Sequence, residues 1–76
     1  MTVYIVITNG EVKGELEGVY QTYEDAKRKF NEIKEDWKLW AEGNECEEDD
    51  EEDYYSLTNY DEDEFLELKL IAETIQ

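Results

Sequence analysis

The chain has 76 residues, of which 23 are Asp or Glu, 7 are Lys or Arg and none is His, so the formal net charge is -16 and the pI about 4.1. A chain this short makes a single domain, residues 1–76, with a modest core and no room for separate cofactor and substrate domains. Its charge excludes direct contact with DNA, RNA or an anionic membrane surface, which need Lys and Arg to neutralise phosphate or lipid, and leaves a partner that is itself positive.

A mean hydropathy of -0.89 is a mark of disorder, whereas 39% hydrophobic and 13% aromatic residues are not. The distribution decides between them. Residues 44–64 hold twelve acids and no base, a charge of -12, so three quarters of the net charge sits in 21 residues. The remainder has the composition of an ordinary folded domain that carries an acidic patch. No run approaches 18 apolar residues and no basic leader precedes Val3–Ile7, which predicts a cytoplasmic protein, in the host cell if phage-encoded. Cys46 is the single cysteine, so no internal disulfide forms, and Glu45, Glu47 and Glu48 around it disfavour a reactive thiolate.

In chain order, Thr2–Thr8 is rich in β-branched and aromatic residues with apolar side chains on both faces, which predicts a central strand. Asn9-Gly10 predicts a type I′ hairpin turn. The return strand runs from about Glu11 to Tyr20, with Val12, Leu16 and Tyr20 in phase on one face and Val19 on the other, while Gly14 and Gly18 suggest a bulge or bend. Thr22 then caps a helix over Tyr23–Glu42, with Glu24 and Asp25 at its positive end and Gly43 as the stop. Ala26, Phe30, Ile33, Trp37 and Trp40 fall within about 80° of one another on the helical wheel and form one core-facing stripe. Lys27, Lys34 and Lys38 flank that stripe on one side, Asp25, Glu32 and Asp36 on the other. Pairs such as Glu24 with Arg28 and Asp25 with Lys29 support the helix, and the lysine flank is placed to dock the acidic segment internally. Leu39 is the apolar residue of the polar side.

Residues 44–53 read as a loop by composition. Tyr54–Tyr60 is a third strand with Tyr55 and Leu57 on one face, Asp61–Glu64 a second acidic turn, and Phe65 to about Ile71, extending toward Ile75, a fourth strand with Leu66, Leu68 and Leu70 inward. The expected fold is two-layer α+β: a four-stranded antiparallel sheet in the order β-β-α-β-β, with one long helix on one face.

Catalysis has few candidates. His is absent, the cysteine is electrostatically disfavoured, and Ser56 is the single serine, with no base to activate it; the expectation is a protein that is not an enzyme and needs no cofactor. Carboxylate clusters attract Ca²⁺ and Mg²⁺, but no register fits a calcium loop. Starting at Asp49, Tyr54 stands where the turn needs Gly and Tyr60 where a bidentate Glu belongs; starting at Asn59, Glu64 and Leu70 fail in the same places. The acids are better read as a surface for another protein. A compact array of carboxylates can occupy the Lys and Arg that a DNA-binding protein presents to phosphate, and the tyrosines beside it supply interface anchors. The candidate contact residues are Glu45, Glu47, Glu48, Asp49, Asp50, Glu51, Glu52, Asp53, Tyr54, Tyr60, Asp61, Glu62, Asp63 and Glu64. Tyr55, which alternates with Leu57, reads equally well as a packing residue.

The acidic block Glu45–Asp53 with Tyr54-Tyr55, and Asp61-Glu62-Asp63-Glu64-Phe65 leading into a final strand, resemble the small acidic proteins by which phages and mobile elements block host defence through DNA mimicry, the anti-CRISPR and anti-restriction proteins. Val3-Tyr4-Ile5-Val6 and Gly18–Ala26 are similar to stretches of many short phage proteins. The resemblance implies an inhibitor whose acidic surface blocks the DNA- or PAM-binding site of a basic enzyme, a CRISPR effector or a restriction enzyme, acting as a monomer or small homo-oligomer. An acidic adaptor or regulator of a basic partner is the alternative, and a divalent-cation-binding protein a more distant one.

Overall fold

The computed structural model describes residues 1–10, 15–43, 45–59 and 64–75. They form β1 (Thr2–Asn9), β2 (Glu15–Tyr20), α1 (Tyr23–Glu42), β3 (Glu47–Glu51), β4 (Tyr54–Asn59) and β5 (Glu64–Thr74). The strands make one five-stranded sheet in the order β2-β1-β5-β4-β3, antiparallel at every pairing. The class is therefore α+β with one helix over one sheet face, but with five strands, not the expected four. The additional strand is β3, in the segment whose composition reads as a loop. Asp and Glu are poor strand formers, yet an edge strand needs only one partner and has to bury nothing. All five residues of β3 are exposed.

β1 and β5 form the centre of the sheet, paired from Thr2↔Thr74 to Asn9↔Glu67. Asn9 closes β1, paired with Glu67 and donating from Nδ2 to its Oε1 at 3.1 Å. Thr8 pairs with Glu15 rather than with Glu11, so the register does not fit the expected two-residue turn at Asn9-Gly10. The rest of the expected hairpin tip, including Val12 and Gly14, lies outside the described residues, as does Tyr60–Asp63. The expected bulge is present: Val6 pairs with Gly18 but Ile7 with Leu16, leaving Glu17 as the extra residue. It corrects the predicted phase, since Tyr20 lies opposite Tyr4 on the helix side whereas Leu16 lies opposite Ile7 on the other.

The bounds of α1 are those expected from sequence. Thr22 is its N-cap, accepting from the Asp25 amide at 3.2 Å, and Gly43 closes it with its N–H on the Trp40 carbonyl at φ -91, so the stop needs no left-handed backbone. Arg28 pairs with Asp25, three residues back, at 3.4 Å, rather than with Glu24. Because β2 and β3 are opposite edges, α1 has to cross the sheet between them. It covers Val6, Leu57, Leu68, Leu70 and Tyr55, which form the core with Ala26 and Phe30. Ile33 and Trp37 are half-buried against this core, and Trp40 is 39% exposed, a departure from the predicted stripe: in the last turn it is Ala41, one residue on, that packs against the core, four residues after Trp37.

Candidate functional site: an acidic edge strand clamped by the helix

β3 alternates its carboxylates between two sides of the sheet. Glu48 and Asp50 lie on the helix side, opposite Leu57 and Tyr55; Glu47, Asp49 and Glu51 lie on the open side, opposite Thr58, Ser56 and Tyr54. The two sets meet different fates. Asp50 binds two helix lysines, Lys34 through Oδ1 and Lys38 through Oδ2, the latter at 3.0 Å. Glu48 accepts the Tyr55 hydroxyl at 2.5 Å. At the turn after β3, Asp53 accepts the Tyr23 hydroxyl at 2.6 Å and lies 3.4 Å from Lys27 Nζ. All three lysines of the predicted flank are thus turned onto the acidic hairpin.

Tyr55 is the keystone of this clamp. It is fully buried, its ring lies 6.4 Å from that of Trp37, and Lys34 and Lys38 stand 5.7 and 5.8 Å from its centroid. It is a packing residue, and its contribution to the site is to hold Glu48 from below. Ion pairs at this exposure are individually weak. Their effect here is positional, because β3 has one neighbouring strand and no apolar side chain, and the lysines supply the second attachment.

Protonation follows the same contacts. Hydrogen bonding to Lys34, then Lys38, outweighs partial burial and holds the Asp50 carboxyl below its usual 3.8. The bond to Asp50 raises Lys38. Tyr23 is pushed up to about 12, chiefly because ionising it would break its bond to Asp53 and set two anions together. Burial, then Glu48, raises Tyr55 further.

On the open side, Tyr54 is half-buried and donates to Glu67 Oε2 at 2.7 Å, which raises its own pKa. Glu67 also accepts from Asn9 and lies 3.1 Å from Lys69 Nζ. Burial pushes the Glu67 carboxyl up, but the bonds from Tyr54, Lys69 and Asn9 outweigh it and hold it below 4.5. Tyr54 is therefore ordered beside Glu51 and Lys69 in one row across the sheet.

Of the residues singled out in the sequence, Glu45 is exposed just before β3, Glu47–Glu51 are β3 itself, Glu52 and Asp53 form the turn, Tyr54 opens β4 and Glu64 opens β5. Tyr60, Asp61, Glu62 and Asp63 lie outside the described residues. The structure brings Glu47–Tyr54 together as one hairpin edge; Glu48, Asp50 and Asp53 face inward, and Asp49 and Glu51 outward. Sequence reasoning did not single out Tyr23 or Trp37 as supports. The signal for the clamp was the sorting of lysines onto one helix flank. Leu39 is 66% exposed on the outer side of α1, in a shallow groove among Glu32, Glu35 and Asp36. Among the described residues no three His, Cys, Asp or Glu side chains converge as metal ligands, and no helix is long and apolar enough to cross a membrane.

Comparison with protein-family models, with curated proteins and with solved structures finds no match to this chain.

Proposed function

We propose that this protein is an inhibitor of a nucleic-acid-binding defence enzyme, a CRISPR effector first and a restriction enzyme second, and that it acts by laying β3 where the enzyme holds the DNA duplex or its PAM. The observation that carries this reading is an edge strand made entirely of acids and tied to the body by helix lysines. A mobile acidic loop would lose conformational entropy on docking, whereas a paired strand has already lost it. Alternate side chains on the open side, Asp49 and Glu51 among them, repeat at about 6.6 Å, twice the strand rise, giving a regular row of anions beside an ordered Tyr54. Such a row suits a groove of Lys and Arg built for phosphate, and its association is fast and weakened by salt. The role is that of a binding protein rather than an enzyme.

The test is competition at the target. Added to a defence nuclease with labelled duplex carrying its recognition site, the protein is expected to displace the DNA and to be displaced by excess unlabelled duplex. Asp49→Lys with Glu51→Lys, which leaves the clamp acids in place, should weaken inhibition by about two orders of magnitude, since like-charge contact costs several kcal/mol. Unchanged inhibition by that variant sinks the proposal, and inhibition that excess duplex does not relieve favours the adaptor reading.

A further inference from the structure

The face of the sheet away from α1 carries a second surface of opposite character. The bulge at Glu17 turns Leu16 onto this face beside Ile7, and Val19 pairs there with Ile5, which in turn lies opposite Ile71. Leu16 is 63% exposed, Val19 54% and Ile71 39%. These residues occupy three adjacent strands, β2, β1 and β5, and no described element covers them. Exposed aliphatic patches of this kind on soluble chains mark contact surfaces.

We infer that this patch is a self-association surface, and that two copies stack face to face about a two-fold axis running along β1. Two observations select a second copy. The first is the self-complementarity of the row Val19–Ile5–Ile71. An axis along β1 sets Val19 over Ile71 of the second copy and Ile5 over its own counterpart, so both ends of the row meet aliphatic side chains, as an isologous contact requires. In the next row, Leu16 meets the aliphatic stem of the second copy's Lys69, whose ammonium is held by Glu67 within its own face.

The second observation is the segregation of charge. A chain at -16 resists its own copy unless its acids are kept apart. β3 lies three strand spacings from β1, so in this stacking the two acidic edges project at opposite flanks. Their lateral separation is about 29 Å at about 4.8 Å per strand, more than three Debye lengths of about 8 Å at physiological ionic strength. Sheets stacked in this way pack about 10 Å apart with strands roughly aligned. Both β3 edges stay open, so the inference is independent of the function proposed above.

Three strands of about eight residues offer on the order of 400 Å² in projection, half of the roughly 800 Å² per partner in a standard interface. The dimer is accordingly weak and reversible. It is strengthened by salt, which screens the repulsion between the copies and leaves aliphatic burial in place.

Sedimentation equilibrium of the full chain under reducing conditions, from micromolar to millimolar concentration, tests this at about 50 and about 500 mM NaCl, on either side of physiological screening. The expected mass rises with concentration from 9.1 kDa toward twice that value, and at lower concentration in the higher salt. Val19→Asp and Ile71→Asp, each at an exposed site and each checked for unchanged circular dichroism, should hold the mass at the monomer value. Asp49→Lys with Glu51→Lys should leave the association intact. A mass of 9.1 kDa under all conditions overturns the proposal and leaves the face to a different partner. Association that survives Ile71→Asp, or that weakens as salt rises, overturns it as well.

Discussion

Asp50 is bound by Lys34 and Lys38 while its neighbours on either side point to the opposite face of the sheet. The order of β3 therefore depends on this carboxylate more than on the other acids of the strand. Its pKa lies below 3.8 in the folded chain, so the stability it contributes is complete above 3.8 and is lost as pH falls through the lower folded value. Asp50→Asn removes the charge with little change in size. At pH 7 the variant should show lower hydrogen-exchange protection of the Glu47–Glu51 amides, with β1 and β5 unaffected. The parent chain should lose the same protection on acidification below 3.8, and the variant should lack that step. Equal protection of β3 in the two proteins at pH 7 would show that pairing with β4 alone orders the strand.

At the scale of elements, regions governed by local rules were legible in the sequence and those governed by pairing were not. α1 was legible because its cap, stripe and stop lie within the segment itself. β3 was not, since a run of Asp and Glu has no strand propensity and pairs only because β4 and the helix lysines stand beside it. The same charges also protect an exposed sheet edge from pairing with another chain. In β2, Gly18 announced a bulge, but only the register showed which side chains it redirects. A Cβ at Gly18 would sit 2.6–2.8 Å from the outer atoms of the Tyr20 ring, which folds back over that position. Gly18→Ala should therefore displace the Tyr20 ring, and because those atoms are the outer end of a half-buried side chain the cost should stay at about 1 kcal/mol, the low end for overpacking. The penalty should shrink in a Tyr20→Ala background, where the ring is absent. Urea unfolding of the four proteins in the cycle measures it, and a penalty independent of Tyr20 would place the strain in the backbone instead.

For the whole molecule, an apolar core of modest size works against the repulsion of 23 acids facing 7 bases. Only part of that repulsion is relieved internally, through contacts such as Lys27 with Asp53 and Lys34 and Lys38 with Asp50. Salt weakens those pairs and the repulsion alike, and the excess of acids decides the sign. Thermal unfolding of dilute protein should move upward between about 10 and about 300 mM NaCl, by about 4–8 °C for each kcal/mol of repulsion screened. A downward shift would mean that the clamp outweighs the net charge. Composition and periodicity by themselves determined the class of the fold, the bounds of the helix, the inward leucines of β5 and the concentration of charge in residues 44–64, because each depends on residue type and local spacing. The tertiary structure decided that the acids form a strand, which of them the helix neutralises and which it leaves outward, and that Leu16 joins Val19, Ile5, Ile7 and Ile71 on an open face. Those outcomes depend on strand order and register, which bring together residues distant in the chain.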